Sequence, residues 1–159
     1  EHLPPKVRRR TLFVLVSDHG QNTFAPGRLL RFSLGEIARH KKISGLTTLG
    51  TSGRLCHVYS NTFPNPALEA WLRQKCRGKA TILPRHTSWR LAGGAGPLPS
   101  YARRLGDYTI LLNPGFKLRV EFVPPTEEKH LRFSAANHGS LTADELLVPA
   151  LFVPMDEVN

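Results

Sequence analysis

Methionine occurs once, at Met155, and cysteine only twice, at Cys56 and Cys76. Two cysteines exclude a multi-bridge disulfide framework and a four-cysteine zinc site. Both fall in segments that read as regular structure, so buried free thiols are expected. Also missing are an apolar run of the ~18 residues that a membrane span requires and the short apolar core of a secretory signal. No membrane partner is expected, and a cytoplasmic location is the expectation for the chain as given, a signal further upstream aside. Acidic residues are scarce, 12 against 22 Lys and Arg, which leaves a formal net charge of +10. The sequence opens on Glu1 rather than methionine and is expected to be part of something longer.

What is present describes a globular chain. With 159 residues, 40% of them hydrophobic, one domain can bury its own core without staples. The charge would draw anionic partners over distance, whether nucleic acid, membrane surface or phosphorylated small molecules. The 15 arginines and 7 lysines are mostly scattered, however, and the single dense run is Arg8 to Arg10. Without interleaved aromatics or a recognition motif, a solvated basic surface is favoured over a nucleic-acid face.

Along the chain, Thr11 to Val16 ("TLFVLV") is a continuous apolar run with β-branched residues, the pattern of a central strand covered on both faces in a parallel sheet. A loop follows. Ser33 and Glu36 then have the spacing of a capping box for a short helix. From Gly45 onwards, "GRLCHVYSN" predicts a strand, "PNPALEAWLRQKCRG" a helix with proline near its start and glycine at its end, and "KATILPRHTSWRL" a further strand, together a β-α-β unit. The Gly/Pro cluster "AGGAGPLP" is a loop, since it lacks the lysine and context of a phosphate loop. A helical turn, two strands joined at "NPG", another helical turn and a closing strand complete the chain. The class is α/β.

Two short stretches carry potential chemistry. "SDHG" places Asp18 and His19 at the C-terminal end of the first strand, where open α/β sheets bind ligands, with Gly20 allowing a sharp turn. Carboxylate oxygen and imidazole nitrogen together suit zinc or manganese, although an Asp-His pair can equally be a turn cap beside an exposed histidine. "NHGSLTADELLVP" repeats the His-Gly junction at His138 and Gly139. By contrast, His57 reads as a packed or edge histidine, His40 and His86 as surface residues, and Trp71 as helix packing with Leu68 and Leu72.

Together these stretches resemble the alkaline phosphatase superfamily, most closely its phosphodiesterase and nucleotide pyrophosphatase branch. In that branch a strand ending in "SDHG" leads through an inserted subdomain to "HGSL" or "HGGL", then an acidic residue, Glu and "VP". The matching residues are Ser17, Asp18, His19 and Gly20, then His138, Gly139, Ser140, Leu141, Asp144, Glu145, Val148 and Pro149. The resemblance implies a partial alkaline-phosphatase-like sheet, with residues 1–44 and 109–159 as the second half of the catalytic domain and residues 45–108 as an insert subdomain. It implies that Asp18 and His19 ligate one divalent metal ion, zinc or manganese, and that His138 ligates a second, while Asp144 and Glu145 orient the turn.

The implied activity is hydrolysis of a phosphodiester or nucleotide pyrophosphate bond in a small phosphate-ester substrate. The family's first half supplies the Thr or Ser nucleophile, and nothing matching it precedes Asp18. Thr23, Ser33 and Ser140 are hydroxyls by type alone, so no catalytic nucleophile is assigned within the chain. The nucleophile is expected upstream of Glu1, in a missing N-terminal half without which the chain is inactive. A half sheet also invites self-association. The alternative is a non-catalytic basic module that binds an anionic partner such as nucleic acid, or a degenerate relative working within a larger assembly.

Overall fold

A computed structural model of the chain describes residues 3–122 and 134–156. The described residues form a mixed α/β structure with ten strands grouped in four small sheets. The largest sheet comes from the middle of the chain. β4 (Leu46–Ser52) and β5 (Leu55–Ser60) form a hairpin, α3 (Pro66–Cys76) crosses the sheet, and β6 (Ala80–Pro84) and β7 (Tyr108–Leu112) complete the order β4-β5-β7-β6, each neighbour antiparallel to the next. The expected β-α-β unit is therefore split. β5 and β6 flank α3 in sequence, and the later strand β7 inserts between them.

Alternation along these strands builds the core. Cys56, Val58, Ile110 and Leu112 turn to one side, where Leu68, Leu72 and Cys76 of α3 meet them, all essentially inaccessible. Both thiols are free and buried, and burial pushes each up to about 12. α3 starts as its sequence dictates, with Pro66 at the first turn and the Asn65 side chain accepting from Leu68 N. The segment expected to extend as one strand to Leu91 turns instead after Pro84 into α4 (Arg85–Leu91). Pro84 has no N–H to offer a sheet ladder, and its φ of −64° suits the residue before a helix.

The second layer holds β3 (Leu29–Phe32), paired in parallel with β8 (Lys117–Val120), and α2 (Leu34–Ile43). Leu30 and Phe32 point into the core while Leu29 and Arg31 point out. The expected capping box is present: Ser33 Oγ accepts from Glu36 N, and the Glu36 carboxylate accepts from Ser33 N at 3.0 Å. Trp71 packs against the core as expected, stacked at 3.8 Å on His40. His40 itself is buried, contrary to its surface reading, with Nδ1 against Ser44 Oγ at 3.0 Å.

β1 (Leu12–Val16) departs most from expectation. Among the described residues it is neither central nor parallel: it pairs antiparallel with β10 (Ala150–Pro154) alone, and all five of its residues are exposed. Its apolarity has no covering layer among the described residues. The remaining elements are α1 (Pro5–Arg8), the two-residue pair β2 (Asn22–Thr23) and β9 (Ala136–Asn137), a 3-10 segment at Ser100–Leu105, and α5 (Ala143–Leu146). Among the described residues no helix is long and apolar enough to cross a membrane.

Candidate metal centre

The pairing of β1 with β10 brings the two distant motifs together, because each motif adjoins one strand of the ribbon. At the end of β1, the Ser17 hydroxyl donates to His19 O at 2.8 Å and the Asp18 carboxylate accepts from His19 N at 3.0 Å, so the chain turns tightly. Gly20 makes the next step possible. Its N–H donates to Glu145 O at 3.0 Å, and a Cβ at this position would collide with the Asp144 carbonyl. Gly139, at φ +108°, lets the other motif pass close to the hairpin between β4 and β5.

The result is a direct contact between His19 and His138, whose rings stack with centroids 3.6 Å apart and planes 14° from parallel. His19 Nδ1 lies 2.9 Å from Gly20 O. A carbonyl only accepts, so Nδ1 carries the proton and Nε2 of the neutral ring is a lone pair. That lone pair lies 3.6 Å from Asp18 Oδ2, a carboxylate that is 87% exposed. Two donors on one tetrahedral zinc lie roughly 3.3 Å apart for bonds of about 2.0–2.1 Å, so the pair fits a shared cation. Asp18, His19 and His138 thus supply three donors in one neighbourhood, but no group of three or more His, Cys, Asp or Glu converges on one metal position among the described residues. Asp18 also lines a cleft of about 520 Å³ with Leu15, Val16, Ser17, Pro149 and Leu151.

The neighbouring carboxylates Asp144 and Glu145 are both engaged in structural contacts. Asp144 accepts from Asn22 Nδ2 at 3.1 Å. Glu145, only 3% exposed, accepts from Ser140 N at 2.9 Å and from the Thr142 hydroxyl, and pairs with the guanidinium of Arg54. Burial alone would raise the Glu145 carboxyl, but the Thr142 and Ser140 hydrogen bonds and Arg54 outweigh it and hold it below the ordinary range. Arg54 has no exposed surface and also donates to the carbonyls of Asn113 (2.6 Å), Leu112 and Phe116, while its own N–H donates to His138 O at 2.7 Å.

Arg54 is thus the clamp on the His138 loop, and sequence reasoning missed it. In "TSGRL" an arginine beside a hairpin glycine carries no signal of burial. Asn22 was missed for the same reason. It bridges Asp144 to Gly115 N, donating to one and accepting from the other at 2.7 Å. The hydroxyl residues are accounted for structurally: Ser33 caps α2, Ser140 donates to Leu112 O at 2.7 Å, and Thr23 lies in β2.

No protein-family model matches the sequence, and none of the curated proteins is similar to it. Solved structures do match the fold. Murine ectonucleotide pyrophosphatase/phosphodiesterase 5 aligns over 89% of this chain and 32% of its own, with 13% identity and a TM-score of 0.52. An inactive form of the same protein in complex with AMP matches over the same shares with a TM-score of 0.51. Phosphonoacetate hydrolase from Sinorhizobium meliloti 1021, in complex with phosphonoformate, aligns over 89% of this chain and 35% of its own, with 16% identity and a TM-score of 0.58. The chain spans about a third of the length of these structures. Its fold is that of part of these solved structures, the α/β class that the resemblance carried by "SDHG" and "HGSL" implied.

Proposed function

We propose that these 159 residues are the C-terminal portion of a metal-dependent phosphoesterase. In this reading residues 1–44 and 109–159 form the second half of the catalytic domain and residues 45–108 the insert; residues 1–2, 123–133 and 157–159 lie outside the described residues. The observation that carries the reading is the contact of His19 with His138, beside Asp18, between motifs at opposite ends of the chain. Asp18 and His19 would hold one divalent ion, zinc or manganese, and His138 a second. Such a pair, when bound, polarises a phosphoryl group and stabilises attacking and leaving oxygens.

The chain's own part is placement. Gly20 O fixes the His19 tautomer, and the Arg54–Glu145 pair with Ser140 fixes the loop that presents His138. The Thr or Ser nucleophile belongs to the segment upstream of Glu1, so the 159 residues alone are inactive. The substrate class is a phosphodiester or nucleotide pyrophosphate.

In the complete protein, Asp18→Ala and His138→Ala are expected to lower phosphodiester hydrolysis by orders of magnitude while circular dichroism stays unchanged. Near-normal turnover in either variant refutes the metal assignment. A second reading, a non-catalytic basic module for an anionic partner, draws on the net charge of +10 and the lack of three converging metal donors among the described residues. It predicts steeply salt-dependent nucleic-acid binding that Asp18→Ala leaves intact.

A further inference from the structure

The face of the four-stranded sheet opposite α3 carries a cavity of about 240 Å³ that meets the second His-Gly motif at Leu141. Its walls are Leu55, Leu83, Leu91, Leu105, Leu111 and Leu141. Four of these leucines also line a second cavity of about 280 Å³, so the two are one groove beneath α4. A cavity of ~150 Å³ with leucine walls already accepts benzene.

One polar cluster interrupts the apolar lining. Thr109 Oγ1 donates to Leu105 O at 3.2 Å, which uses its single proton. Its lone pairs then face Ser88, whose hydroxyl donates to it at 2.9 Å, and His57 Nδ1, 3.2 Å away across the β5–β7 pair. With that proton committed, the Thr109 hydroxyl can only accept from the ring, so Nδ1 is the protonated nitrogen. Burial holds the imidazole below its ordinary pKa, the Leu105 carbonyl acting in the opposite sense, which favours the neutral ring. Nε2 is therefore a bare acceptor, and among the described residues none donates to it.

We propose that this groove is a binding site for a small apolar molecule carrying one hydrogen-bond donor, a phenol or a comparable hydroxyl compound, whose O–H donates to His57 Nε2 while its body lies among the leucines. The proposal does not depend on the phosphoesterase reading. Leu141 belongs to the segment that carries His138, so an occupant touches that segment without reaching its histidine. A purely apolar ligand would leave Nε2 unpaired, and a multiply polar one would bury groups with no partner.

The test is titration of the 159-residue chain with phenol and with fluorobenzene, a near-isostere without a donor, followed by calorimetry and by 15N imidazole spectra. Saturable phenol binding is expected, with Nδ1 protonated and Nε2 bare before ligand is added. In His57→Leu the preference for phenol over fluorobenzene should fall roughly tenfold, the weight of one neutral hydrogen bond. Leu91→Trp, at a position 58% exposed and so tolerant of change, should fill the groove and abolish binding of both. Absence of saturable binding, an unchanged preference in His57→Leu, or a proton on Nε2 in the wild-type spectrum would each overturn the assignment.

Discussion

Arg54 and Glu145 show how a single buried pair can hold a site it does not enter. Neither side chain has more than a trace of exposure, and between them they gather Ser140, Thr142 and three backbone carbonyls around the His138 loop. Removing one partner strands a buried charge, which costs about 3–5 kcal/mol, whereas an apolar pair of similar volume is often neutral. Glu145→Ala is therefore expected to lower urea stability by about that amount. The double variant Arg54→Met with Glu145→Leu should recover most of the loss. If Glu145→Ala costs less than about 1 kcal/mol, the pair is not the clamp described here. The carboxyl is held low, so its contribution is complete above the ordinary carboxylate range and is lost as pH falls through the folded value.

At the scale of elements, α2 and α3 are joined by Lys75 Nζ and Glu36 Oε1 at 2.5 Å. Burial opposes ionisation of Glu36, yet the Lys75 contact and the Ser33 capping bonds bring its carboxyl down to about 2. A depressed carboxyl stabilises the fold above its unfolded pKa of about 4.3, and that contribution disappears as pH falls towards 2. Lys75→Met should raise the Glu36 pKa, read from its side-chain carboxyl carbon by NMR, and move the acid-unfolding midpoint to higher pH; a Glu36 titration unaffected by the variant would remove Lys75 as a cause. The Ser33 capping box and a proline near the start of α3 were legible in the sequence because a helix start is a local agreement of residue type and spacing, whereas the Asn65 cap went unread. The insertion of β7 between β5 and β6 was not, since strand order depends on pairing between distant segments. His40 misled because its basic neighbours, Arg39, Lys41 and Lys42, mark a surface helix, while its own position faces Trp71. Asp18, His19 and His138 were legible as types and spacing, but their mutual contact rests on the β1–β10 register, which pairs Val16 with Ala150.

For the whole molecule the decisive feature is that ribbon. Phe13, Leu15, Leu151 and Phe152 are each about half exposed or more, and neighbouring residues point apolar side chains to both faces. Among the described residues the ribbon has two bare apolar faces and two open edges, a poor final state in water. The matched structures are about three times as long as this chain, so they contain further polypeptide that could cover such a surface. In its absence a second copy is the available cover, and the net charge of +10 opposes that contact. Screening should then favour self-association, so sedimentation velocity of the 159-residue chain is expected to show larger species as salt rises, the reverse of nucleic-acid binding. Val14 and Phe152 face each other across the ribbon, and Val14→Lys with Phe152→Thr should restore a monomer at every salt concentration. A wild-type chain that stays monomeric at high salt would mean that the ribbon's apolar faces do not drive association, and the argument for a covering layer would then rest on the longer matched structures alone.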